Sequence, residues 1–184
     1  MKLVVAITGA SGVLYAYNFL EATKKLGIET HLIITESGRT VATHELGGVE
    51  QLQSLADYSY DPEDLEAPIA SGSFRLDGMV IVPATMKTVA ALAHGYNENL
   101  VTRAADVHLK ERRPLVVVPR ETPLHAVHLE NMATLSRLGA VILPAMPGFY
   151  HGPKSIDDLA TFISGKILDQ LGVENHLYRR WGEP

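Results

Sequence analysis

The sequence has 184 residues, 46% of them apolar and 20% charged, which is length enough for one well-buried core and predicts a single domain spanning 1–184. Its 16 basic and 21 acidic residues are spread along the chain for a formal charge of −5, so no polybasic tract offers itself to nucleic acid or an anionic membrane, and a small-molecule partner is expected. Cysteine is absent, which excludes disulfides, thiolate metal sites and cysteine nucleophiles.

The first apolar run, Leu3 to Ile7, is broken by Thr8 and Gly9, too soon for a secretory core or a membrane span, and a cytoplasmic protein is expected. It reads as a strand, followed by a helix over Ser11 to Leu26, a strand over His31 to Thr35 and a helix over Gly38 to Leu46. The polar stretch Asp57 to Pro68 reads as a surface excursion of the same domain. Strand Gly78 to Pro83 then leads to helices over Met86 to Ala93 and Leu100 to Arg112. Strand Pro114 to Pro119, helix His125 to Leu138, strand Ala140 to Pro144 and helix Ser155 to Leu171 complete the series, with a tail from about residue 173. The strand runs are continuously apolar, as in strands buried on both faces, and their alternation with helices predicts an α/β fold with a doubly wound parallel sheet between two helical layers. Prolines 83, 119 and 144 close three runs and mark one rim of the sheet, the carboxyl edge where open α/β folds bind ligands.

Candidate chemistry collects at that rim. The turn Gly9-Ala-Ser-Gly12 joins a strand to a helix, and its glycines, the Ser11 hydroxyl and the first helical N–H groups suit a phosphate. TGASG resembles the start of a short-chain dehydrogenase fingerprint, but that pattern wants glycine at 13 or 15, where Val13 and Tyr15 stand. Tyr150 and Lys154 share the spacing of the same enzymes, yet Gly152 and Pro153 would break the helix that makes the spacing useful. Thr85 and Thr88 offer hydroxyls after the third rim strand, Arg120-Glu121 follows the fourth, and Tyr150 lies beyond the fifth. Arg112 and Arg113 read as surface groups, and Trp181, the one tryptophan, reads as an anchor of the tail to the body or to another subunit.

GASG, the MKT segment, RAADVHLKERRPLVVVPRETPLH, HLENM, GAVILPAMPGFYH and RWGE together resemble the flavin prenyltransferases of the UbiX type, over Lys2 to Glu183. The resemblance implies a three-layer Rossmann-like or flavodoxin-like subunit that binds FMN and assembles as a homododecamer. It further implies transfer of a dimethylallyl group from dimethylallyl phosphate to N5 and C6 of reduced FMN without a metal, giving prenylated FMN for UbiD-type decarboxylases. Matched to this chain, Gly9, Ala10, Ser11, Gly12, Thr35, Thr85, Met86, Lys87, Thr88 and Arg120 would bind FMN. Lys110, Arg120, Tyr150 and Lys166 would surround the donor phosphate with Arg103 nearby, and Glu45 and Glu121 match the acid/base candidates. Lys166 stands where many members have arginine, keeping the charge but losing the bidentate fork.

The chemistry agrees with those residue types. Breaking an allylic C–O bond leaves an allyl cation and a phosphate, so cations and hydroxyls belong at the leaving oxygen and aromatic faces, the flavin and Trp181, beside the carbon chain. Glu121, Glu45 and the departing phosphate are all candidates for the base that removes the C6 proton. Two rival readings are a cysteine decarboxylase of similar fold, whose early catalytic histidine and PxMNxxM loop do not stand here, and a non-catalytic flavin-binding subunit.

Overall fold

Six parallel strands, β1 (Lys2–Ile7), β2 (Glu29–Ile34), β3 (Tyr58–Tyr60), β4 (Gly78–Ala84), β5 (Leu115–Pro119) and β6 (Val141–Ile142), form one sheet in the order β3-β2-β1-β4-β5-β6. The computed structural model describes residues 1–182; Glu183, which ends the RWGE segment, lies outside the described residues. Lys2 pairs with Glu29 on one side of β1, and Leu3 with Gly78 on the other. The helices are α1 (Val13–Lys25), α2 (Glu36–Leu46), α3 (Glu50–Leu55), α4 (Met86–Ala93), α5 (Leu100–Lys110), α6 (Ala126–Arg137) and α7 (Ile156–Gln170).

The continuous apolar runs are explained by the two faces they serve. Leu3, Val5 and Ile7 of β1 pack with Phe19 and Leu20 of α1 and with Ile163 and Ile167 of α7. Val4 and Ala6 point the other way, into a second core with Val89 of α4, Ala104 of α5 and Leu135 of α6. Alternate residues therefore fill opposite cores, and no position from Leu3 to Ile7 of the central strand is free to be polar.

Three features differ from the sequence expectation. The excursion around Asp57 to Pro68 contributes the edge strand β3, held by Asp57, whose carboxylate accepts from the Thr30 amide at 2.7 Å, and α3 precedes it. A three-residue edge strand in which Tyr58 and Ser59 are exposed carries too little apolar signal to announce itself. Pro83 lies inside β4 instead of ending it: the register shifts between Ile81 and Ala84, and Ala84 still pairs with Pro119. The missing N–H falls at that irregularity, which is where a central strand can accept proline. Last, regular pairing of β6 stops at Ile142, although Leu143 and Ala145 still donate to Val117 and Pro119 across Pro144.

The chain winds outward from β1 to β3, then returns to the other side of β1 and winds outward again to β6. This leaves a topological switch point between β1 and β4, with the carboxyl ends Ile7, Ile34, Ala84 and Pro119 on one edge. No helix among the described residues is long and apolar enough to cross a membrane.

Candidate functional site

At the switch point the two strand ends are joined by Thr8. Its hydroxyl, only 2% exposed with its residue, donates to the Pro83 carbonyl at 2.9 Å and accepts from the Thr85 amide at 2.9 Å. On either side, a threonine caps a helix. Thr35 accepts from the Gly38 amide at 3.1 Å to begin α2, and Thr85 accepts from the Thr88 amide at 3.2 Å to begin α4. The Thr85 and Thr88 hydroxyls are 3.0 Å apart. Two helix amino termini thus open on one cleft, lined by Thr8, Thr35, Ser37, Thr85, Thr88 and, from the start of α5, Asn99 and Thr102. Positive helix ends and hydroxyls in one cleft suit a phosphorylated, hydroxyl-rich ligand. Met86 is buried behind it, while Lys87 is exposed at its mouth and pairs with Glu98 at 3.0 Å.

The Gly9–Gly12 turn adjoins this cleft. A Cβ on Gly9 would lie 2.5 Å from Cβ of Ser37 and 3.2 Å from its backbone carbon, so only glycine lets the turn rest on the start of α2. Ala10 is buried and Ser11 is exposed. The helix starts at Val13, and its first amide groups are not open to an external anion as the sequence suggests: Glu45 of α2 accepts from Gly12 N at 2.9 and 3.0 Å and from Val13 N at 2.8 Å. The chain's own carboxylate takes that place. Arg120 reaches from the end of β5 to donate from Nε to the Ser11 carbonyl at 3.0 Å. Burial raises the Tyr15 hydroxyl above its ordinary pKa, with the Arg120 guanidinium opposing the rise. Glu121 is exposed, and its carboxylate accepts from the amide of its neighbour Thr122 at 3.1 Å.

A second group of side chains surrounds Tyr150. Trp181 meets its ring edge-on with centroids 5.4 Å apart, Phe162 does so at 5.9 Å, and Arg179 donates to the Tyr150 carbonyl at 3.1 Å. An open recess of about 550 Å³ is lined by Tyr150, Arg179, Arg180 and Trp181. His151 stacks on Phe162 at 4.9 Å.

The remaining candidates do not join them within one chain. Helix α5 runs from the cleft toward the opposite edge, so Lys110 ends beside Gly72, close to where β5 begins, and its ammonium pairs with Glu111 at 2.7 Å. Arg103, in the first turn of α5, donates to the Ala70 carbonyl at 3.1 Å. Lys166 lies in the lower half of α7, 3.8 Å from Asp169. Arg113 is not merely a surface group, since it donates to the Gly72 and Phe74 carbonyls at 2.6 and 2.9 Å. Trp181 is 82% exposed, so within the chain the tail is anchored instead by Tyr178 and Arg180 on Asp169. Sequence reasoning passed over Thr8, Ser37, Tyr15 and Asp169; a threonine straight after a buried strand was the only local signal among them.

The flavoprotein family model matches residues 1–168. A flavin prenyltransferase UbiX of Methanothermobacter thermautotrophicus is 56% identical over 181 residues, covering 97% of this chain and 94% of that protein. The chain belongs to the UbiX-type flavin prenyltransferases. Among solved structures, a UbiX protein in complex with FMN and dimethylallyl pyrophosphate superposes with a TM-score of 0.96 at 43% identity, covering 98% of this chain and 97% of that one. A dodecameric FMN-dependent UbiX-like decarboxylase of Escherichia coli has a TM-score of 0.95 at 45% identity, covering 98% and 99%.

Proposed function

We propose that the chain binds reduced FMN in the cleft at the β1–β4 switch point and joins to it a dimethylallyl group taken from a dimethylallyl phosphate, in the cytoplasm, with no metal requirement. The observation that carries this is the Thr8-centred cleft, in which two threonine-capped helix termini converge and the Gly9 turn rests directly on the start of α2. Thr35, Thr85 and Thr88 would hold the flavin's phosphate and polyol with Gly9, Ala10, Ser11 and Gly12 beside them, while Met86 and Lys87 flank the cleft and Arg120 fixes the turn through Ser11. Bound and reduced, FMN supplies nucleophilic N5 and C6.

The chain's part in the reaction is electrostatic and positional. Lysine, arginine and tyrosine groups neutralise the departing phosphate, and the Trp181 ring faces the cationic carbon chain. Arg120 and Tyr150 serve from the rim of one chain, whereas Arg103, bonded to the Ala70 carbonyl, and Lys166, beside Asp169, would join them on assembly. Lys110 sits at the opposite edge, so it would serve from a second copy. Exposed Met146, Phe149, Ile156 and Trp181 around Tyr150 supply the apolar surface that such an assembly would cover. The assembly is a homododecamer in this reading, as in the Escherichia coli relative. Glu121 is exposed at the rim and, among the described residues, forms no salt bridge, which favours it as the group that takes the C6 proton, whereas Glu45 already accepts three backbone hydrogen bonds. The product would pass to a UbiD-type decarboxylase.

The test is anaerobic incubation of the protein with reduced FMN and either dimethylallyl monophosphate or the diphosphate, with chelator present. The flavin is expected to gain the mass of one five-carbon unit with at least one donor. Recovery of unmodified flavin with both donors would overturn the reading.

A further inference from the structure

The tail after α7 is held by one side chain. Asp169, in the last turn of α7, accepts from Arg180 through both oxygens, at 2.8 and 3.1 Å, from the Tyr178 hydroxyl at 2.7 Å and from the Asn175 amide at 3.0 Å. Its side chain is 17% exposed, and its fourth neighbour is the Lys166 ammonium at 3.8 Å. Bidentate, charge-assisted bonds to a partly buried carboxylate are the strong kind. Burial alone would raise the Asp169 carboxyl, and the bonds from Arg180, Tyr178 and Asn175 together bring it below the ordinary value. The same burial and the carboxylate beside it push the Tyr178 hydroxyl up to about 12.

The helix is shaped to receive this tail. A Cβ on Gly165 would come within 2.5 Å of the Tyr178 ring, so the glycine allows the tail to lie directly on α7, where Tyr178 also packs on Phe162 at 4.8 Å. The tail's residues then alternate as in an extended chain. Tyr178 and Arg180 turn toward Asp169, and the residues between and after them, Arg179 and Trp181, turn to Tyr150, one bonding its carbonyl and the other meeting its ring.

We infer that Asp169 is a positioning residue: it sets the register of the tail, so that Arg179 and Trp181 form the wall beside Tyr150. This rests on the proposed prenyl transfer for its consequence in turnover, but the geometry of the strap stands apart from it. Asp169 touches neither donor nor flavin and acts only through Arg180 and Tyr178.

Trp181 is the sole tryptophan, so its emission reports the strap alone. In the full-length, assembled protein, Asp169→Asn keeps the size of the side chain and removes its charge. The expected result is a larger fast component in the Trp181 anisotropy decay and an increase of about tenfold in KM for the prenyl donor, with FMN affinity unchanged. Tyr178→Phe, which removes one of the bonds, is expected to move both readouts in the same direction by less. A lowered Tm with unchanged anisotropy and unchanged KM would mean that Asp169 only stabilises the helix end, and would overturn the inference. If the parent protein shows no prenyl transfer, the functional reading fails, and the anisotropy comparison of parent and variant still decides whether Asp169 holds the strap.

Discussion

The cleft at the β1–β4 switch point and the recess around Tyr150 are built in opposite ways. The cleft is made of groups that the fold cannot avoid placing: Thr8 between two central strands, and Thr35 and Thr85 capping the helices that leave those strands. Each hydroxyl is already hydrogen-bonded, so its direction is set before any ligand arrives. The recess instead depends on segments brought together from outside the sheet, the loop after β6 and the tail after α7, and it leaves Trp181 and Phe149 largely exposed. A preorganised cleft can bind without help; an open aromatic recess needs a cover. The two differ for a physical reason, since strand ends in a twisted parallel sheet are fixed by the ladder, while a tail is fixed only by its own side chains.

The largest effect should come from crowding the cleft. Gly9→Val places side-chain atoms against Ser37 at the start of α2, and FMN affinity is expected to fall about a hundredfold or more, measured by quenching of flavin fluorescence, while circular dichroism keeps the α/β signature. Unchanged affinity would show that the turn is not part of the flavin site and would remove the contrast between the two regions.

A second experiment tests whether the recess is completed by another copy. Lys110→Ala and Tyr150→Ala are each expected to lose on the order of a hundredfold in turnover, a few kcal/mol of lost phosphate stabilisation. When the two variants are dissociated and reassembled together, some sites pair an intact Lys110 with an intact Tyr150, and activity should return in part. No recovery in mixed assemblies would confine both residues to one chain's site, against the separation of Lys110 from the rim.

The smallest effect concerns the far edge of the sheet, which serves neither region. His31 is buried against Tyr58 and Phe74, shares a 2.9 Å hydrogen bond with Tyr60 and a 3.1 Å contact with Glu29, and burial lowers its pKa although Glu29 opposes the shift. The unfolded chain takes up this proton near pH 6.5, about the unperturbed histidine value, and the folded chain only at lower pH. The associated stability is therefore present above that pH and is lost as pH falls toward the folded value. Tm should decline as pH drops from 7 to 5, roughly the histidine range, and His31→Gln should flatten part of that slope. An identical slope in the variant would assign the acid sensitivity to other groups.

How legible the site was differs between the regions. The α/β order, the carboxyl rim and the threonine hydroxyls opening α4 follow from local pattern: continuous apolar runs, then Thr85 at a helical boundary; that Thr35, read as the end of a strand, caps a helix beginning at Glu36 was not legible. The same reading misjudged the α1 amino terminus, because local sequence does not reveal that Glu45, over thirty residues on, folds back onto Gly12 and Val13. The resemblance places Lys110 and Arg120 at one donor phosphate, yet nothing in the local sequence says whether one chain brings them together. A helix running antiparallel to the strands separates them, carrying Lys110 to the other edge before β5 returns to deliver Arg120.

The sequence by itself thus determined what depends on neighbours along the chain: which runs are strands, which helices they alternate with, where the cap of α4 falls, and the family that the motifs share. Only the tertiary structure decided what depends on meetings across the chain. It joined Thr8 to Thr85, gave the first amides of α1 to Glu45, and brought Tyr178 and Arg180 onto Asp169 so that Trp181 faces Tyr150. Periodicity encodes which face of an element is apolar, but the partner of a polar side chain is chosen by topology, and β-strand order is not written in any single segment.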